Sequence, residues 1–137
     1  MKVATRQRAY LREAFVTLLL ARLAVSVVAP ARLFAWAERP PRHIRRFAAD
    51  EAGWVAWAVG TIAARPWMNA LCLPRALAAH AMLRRRGIAS LLCLGVARDG
   101  GQLAAHAWVE VGDRKIAGET EAERFTRLTA FGGAVAP

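Results

Sequence analysis

Cysteine is scarce in this chain of 137 residues, with Cys72 and Cys93 the only two. Neither has metal-ligand spacing, and two thiols make no framework of the kind that staples small secreted domains, so no metal is expected and a reducing cytoplasm is the expected compartment. Acidic residues are also few, ten against twenty basic ones, which leaves a formal charge of +10. Such a field draws anionic partners. Nearly all of it is arginine, clustered at Arg39, Arg42, Arg45 and Arg46 and again at Arg84, Arg85 and Arg86. No zinc-finger, RNA-binding or basic-zipper pattern accompanies them, so a solvated basic face is expected in place of a nucleic-acid site.

Long apolar runs are missing too. The best, Ala14 to Ala29, carries Arg22 at its centre and is ended by Pro30, whereas a membrane-crossing helix wants about 20 predominantly apolar residues without a central charge. A buried or partner-facing helix is therefore expected there, with membrane association the secondary expectation. Ala29-Pro30-Ala31 is a faint match to a signal-peptide cleavage site. The chain has neither internal repeats nor low-complexity linkers. With 56% hydrophobic residues it is too apolar for disorder. One domain over 1–137 is expected, helical over 1–64 with its core part over 65–120.

What is present is a run of helices followed by strands, an α+β pattern. Leu11, Phe15, Leu18, Leu19, Leu23 and Val27 recur at helical spacing over about Gln7 to Ala29 and predict one broad apolar face, with Arg8, Arg12 and Arg22 largely elsewhere. Arg39-Pro40-Pro41-Arg42-His43 is a connector, with His43 exposed. A second helix is expected from Ile44 to Ala64, where Trp54 and Trp57 read as core or interface aromatics. A third runs from Cys72 to Arg86, since Pro74 suits a first helical turn and Gly87 a left-handed stop. Ile88 to Ala97 and Gln102 to Val111 then form a hairpin about Arg98-Asp99-Gly100-Gly101. A turn at Gly112-Asp113 leads to a third antiparallel strand, Arg114 to Glu119. Glu121 to Pro137 carries no clear signal beyond a short helix and a tail.

The chemistry centres on Cys72, at the start of the third helix, where unpaired backbone N–H groups and the positive dipole end favour a thiolate. Most free cysteines are small buried hydrophobes, so a base is needed to distinguish this one. His80 lies about 12 Å along the same helix, too far for a hydrogen bond, and reads as structural. His106 shares a strand face with Trp108 and Glu110 and is the candidate base. If Gly112-Asp113 is a two-residue loop, Val111 pairs with Arg114 and, counting back, His106 pairs with Glu119, which could orient the imidazole. The alternative for Glu119 is an ordinary strand-end carboxylate. Cys93 is the rival nucleophile, because a turn at Asp99-Gly100 would set it beside His106, but an apolar strand raises a thiol's pKa.

Four segments carry a resemblance: Cys72-Leu73-Pro74-Arg75-Ala76-Leu77-Ala78, Leu83-Arg84-Arg85-Arg86-Gly87-Ile88, Gly95-Val96 and Ala105-His106-Ala107-Trp108-Val109-Glu110. Together they resemble the B2 proteins of lasso-peptide biosynthesis, over roughly Pro66 to Glu119 and more loosely over the N-terminal helices. The resemblance implies a transglutaminase-like, papain-like core whose catalytic helix is followed by a three-stranded antiparallel sheet. It implies a cysteine peptidase without cofactor that removes the leader of a precursor peptide before a separate ATP-dependent lasso cyclase closes the ring. Cys72 and His106 match the family's nucleophile and base. The family's third residue is usually an aspartate shortly after the histidine strand, for which Glu119 is the nearest fit and Asp113 a poorer one. A separate leader-recognition protein is the implied partner. The Cys72 backbone N–H is the natural oxyanion donor, with Trp67 or Asn69 to complete the hole. Acyl transfer to an amine remains open beside hydrolysis, and a non-catalytic module binding proteins or a membrane surface is the alternative from another class.

Overall fold

Ala14 and Ala21 decide how the first helix packs, because small side chains let neighbouring helices approach closely. In the computed structural model, which describes residues 2–44, 49–116 and 126–132, α1 spans Lys2–Val27. Its buried stripe is Tyr10, Ala14, Leu18 and Ala21, at the spacing of one helix face. It packs against α3 (Ala49–Ala63) and α4 (Cys72–Arg85). This corrects the face expected from the sequence: of the six residues proposed for it, Leu18 is fully buried, whereas Phe15, Leu19, Leu23 and Val27 are exposed. From Ala14 to Val27 the helix carries only one charge, Arg22, so its periodicity there fits more than one stripe. Close packing selects the one with alanines.

Arg22 also has a place that its charge alone does not suggest, since its Nη1 donates to the Met68 carbonyl at 2.8 Å. Among the described residues no helix is long and apolar enough to cross a membrane. Glu13 fixes α1 to α4, bonding Arg86 through both oxygens at 2.6 and 2.8 Å, the bidentate geometry in which such pairs are strongest. Residues 30–38, unassigned from the sequence, form α2 (Pro30–Glu38), with Pro30 in its opening turn. The second expected helix begins at Ala49, later than Ile44, and residues 45–48 lie outside the described set.

The strands are β1 (Leu91–Asp99), β2 (Gln102–Val111), β3 (Arg114–Ile116) and β4 (Thr126–Gly132), in the order β3-β2-β1-β4 with each neighbouring pair antiparallel. The fold is α+β, and its sheet has four strands, one more than expected: part of the segment without a clear signal pairs with β1. The β1–β2 turn is Gly100-Gly101, both at positive φ (59° and 84°), as the tightest hairpin loops require. That register sets Cys93 opposite Trp108 and Gly95 opposite His106, so the turn that would have put Cys93 beside His106 is not the one formed. Leu92, Ala107, Val109, Val111 and Ile116 face the helices and join the main core. Cys93, Trp108, Leu91 and Ala130 cluster on the other face.

Candidate active site

The approach to Cys72 is held by two arginines. Met68 and Asn69 both donate backbone N–H groups to the Arg65 carbonyl, at 2.9 and 2.8 Å. Asn69 takes a positive φ of 41°, a conformation that asparagine tolerates better than most residues. Arg22 holds the Met68 carbonyl, and Arg75 Nε donates to the Ala70 carbonyl at 2.9 Å. Both contacts were missed from the sequence.

Leu71 caps α4 in an extended conformation without a side-chain hydrogen bond. Cys72 is the first helical residue and half-buried at the margin of the main core. Pro74 has no N–H, and the Arg75 N–H is taken by the Leu71 carbonyl at 3.1 Å. The helix therefore opens with two backbone donors, those of Cys72 and Leu73, that no cap engages among the described residues, and the second was not anticipated. Such a pair is suited to an anion or a developing oxyanion. Of the residues expected to complete the hole, Asn69 has its backbone N–H committed to Arg65 and can offer only its carboxamide. Trp67 is exposed and sets its ring edge-on to Phe15 at 5.6 Å.

His106 is buried in the middle of β2, its ring nearly parallel to that of Trp108 with centroids 6.1 Å apart. Trp108 Nε1 donates to Glu110 at 3.1 Å, and Arg127 of β4 reaches across β1 to the same carboxylate at 3.3 Å. The indole lies over Gly95, where a Cβ would come within 2.7 Å of it and 2.6 Å of the Thr126 carbonyl. Glycine is required there by the ring. α4 packs against β2, but its body rests on the face of Ala107 and Val109, whereas His106 alternates onto the Trp108 face.

The β2–β3 register pairs Val111 with Arg114, Glu110 with Lys115 and Val109 with Ile116, as the two-residue loop predicted. Glu119, which the same count sets opposite His106, lies outside the described residues. Asp113 stands in the turn, about 17 Å or more along the strand from His106 at roughly 3.4 Å per residue. Cys93 is fully buried; burial first, then the Glu110 charge, push its thiol up to about 11. His80 is structural, as expected: its Nε2 lies 2.9 Å from the Ala37 carbonyl and its Nδ1 2.8 Å from Ser90 Oγ. Burial lowers its pKa, outweighing the Ala37 bond. His43 is exposed.

A half-buried cysteine opening a helix that packs on an antiparallel sheet, with a histidine on the second strand, is a recognised core. The family model described as the transglutaminase-like superfamily matches residues 15–130, which include Cys72 and His106. The chain belongs to the transglutaminase-like superfamily. No curated protein and no solved structure matches it. Members of this superfamily are often cysteine peptidases or transferases, so chemistry at a thiol is the activity its membership suggests.

Proposed function

We propose that this transglutaminase-like chain is the leader peptidase of a lasso-peptide pathway, with Cys72 as nucleophile, His106 as general base and Glu119 as the acid that orients the imidazole. The observation that carries most weight is the position of Cys72 at the opening of α4, beside two backbone donors that no side chain caps. The resemblance of the segments around Cys72 and His106 to lasso-pathway peptidases supplies the substrate. His106 takes the proton from the Cys72 thiol, and Sγ adds to the scissile carbonyl. The oxyanion meets the Cys72 and Leu73 N–H groups. Collapse of the intermediate expels the amine of the core peptide, which receives the proton from the imidazolium, and leaves a thioester on Cys72. Water, giving a proton to His106, hydrolyses that thioester, releasing the leader carboxylate and the thiol.

A leader-recognition protein presents the precursor, and a separate ATP-dependent cyclase uses the freed amine. Mass spectrometry of a lasso precursor incubated with its recognition protein and this chain is expected to show one cut at the leader–core junction, lost in Cys72→Ala. Cleavage by both proteins would remove Cys72 from the mechanism. A second reading, a non-catalytic interaction module, draws on the exposed Leu19, Leu23 and Val27 of α1. It requires pathway activity to survive Cys72→Ala and to fail in Leu23→Glu.

A further inference from the structure

Between α1, α2 and α4 lies an open apolar groove of about 380 Å³. Leu33 and Leu77, both buried, form its floor, and the exposed Leu20 stands at its rim. Trp36 and Ala81 line it as well, and the same two residues line a second concavity of about 820 Å³, so the two hollows adjoin at these side chains. The second hollow is basic. Arg85 and Arg86 share the single Glu13 carboxylate there, and Arg42, which is exposed, has no ion pair among the described residues. Arg84 donates to the Trp36 carbonyl and lies 5.1 Å over the Trp36 ring. Partial burial, then the charge of Arg39, disfavour its protonated form.

An apolar trough that runs into unneutralised arginines is complementary to a ligand with the same polarity along its length: aliphatic side chains first, carboxylates after. The apolar surface is recessed between three helices, which suits side chains of a polypeptide better than the flat surface of a bilayer. We propose that the joined groove docks an amphipathic polypeptide segment, its aliphatic side chains between α1, α2 and α4 and its carboxylates facing Arg42 and Arg84. Leu77 and Ala81 stand about 8 and 14 Å along α4 from Cys72, at roughly 1.5 Å per residue. A partner held there is held on the helix that begins with the thiol. Docking needs no chemistry at Cys72, so it stands or falls separately from the peptidase.

The test is fluorescence anisotropy with a labelled synthetic peptide of about three helical turns, leucine and alanine ending in glutamates, against an isomer in which lysines replace the glutamates. The glutamate peptide is expected to bind the parent protein and its Cys72→Ala variant equally. Arg42→Glu and Ala81→Trp should each weaken it by about fivefold or more, and added salt should weaken it further. Arg42 is exposed and in no ion pair among the described residues, so its variant keeps the test valid if Ala81→Trp does not fold. Equal affinity for the two peptides, or full affinity in folded Arg42→Glu, would overturn the proposal. So would co-sedimentation with phosphatidylglycerol vesicles, lost in Arg42→Glu, in a protein that binds neither peptide.

Discussion

Cys72 and Cys93 are the same side chain in opposite settings. Cys93 sits in the middle of the sheet, between β2 and β4, beneath the Trp108 cluster and near the Glu110 carboxylate. Cys72 sits where one element gives way to another, half-buried, with helix N–H groups at hand. A strand interior satisfies every backbone donor through its ladder and leaves a thiol nothing to react with. A helix start leaves donors over. On the proposed function, reactivity in this fold belongs to a chain discontinuity, with the regular sheet serving to position it.

The largest expected effect is on turnover: Cys72→Ala should lower precursor cleavage on the order of a thousandfold or more, with Cys93→Ala within about threefold of the parent. An equal loss in both would erase the distinction. Next comes alkylation. At pH 8 a thiol of pKa about 11 exposes about a hundredfold less thiolate than one at the ordinary 9.0, and the thiolate is what reacts. Cys93 is also fully buried whereas Cys72 is half-buried, so iodoacetamide followed by peptide mapping should mark Cys72 and spare Cys93 until the pH rises toward 11.

Smaller effects probe what surrounds each cysteine. Gly95→Ala forces a methyl against the Trp108 ring and should destabilise the fold by about 1–3 kcal/mol, seen as a lower Tm. Arg75→Ala releases the Ala70 carbonyl and should reduce kcat by about tenfold with KM little changed. The smallest concerns His80, whose hydrogen bonds go to the Ala37 carbonyl and Ser90. Its pKa lies lower in the folded protein than in the unfolded chain, so the unfolded chain takes up a proton first as the pH falls. The stability its neutral form contributes is complete above about pH 6.5 and declines below it. Thermal melts between pH 7.5 and 5 should show that decline, and His80→Gln should flatten it.

Much of the site's framework was legible before any coordinates. Pro74 and Gly87 bracket the fourth helix because each carries a backbone constraint that few positions satisfy, and Gly112-Asp113 fixed the β2–β3 register for the same reason. The exposed face of α1 was not legible, since Leu19 and Leu23 are as hydrophobic as Leu18 and only the closeness of α3 and α4 tells them apart. Nor was β4: Thr126 to Gly132 mixes polar and apolar residues without strict alternation, and a bulge between Leu94 and Gly95 of β1 shifts its register. Arg22 and Arg75 were hidden for another reason. Their partners are backbone carbonyls, which leave no mark on side-chain identity.

The order in which the sheet is assembled gives β4 a further consequence. By the time residue 116 has left the ribosome, β1 can pair with β2 on one side only, and its other edge, Leu91-Leu92-Cys93-Leu94, is an apolar strand with open hydrogen bonds. Such edges recruit other chains. Among the described residues β4, whose last residue donates its N–H to the Glu38 carboxylate from 94 positions away, closes that edge. Until Thr126 to Gly132 has paired with β1, that edge stays open, so the last strand of the sheet is also its protection against other chains.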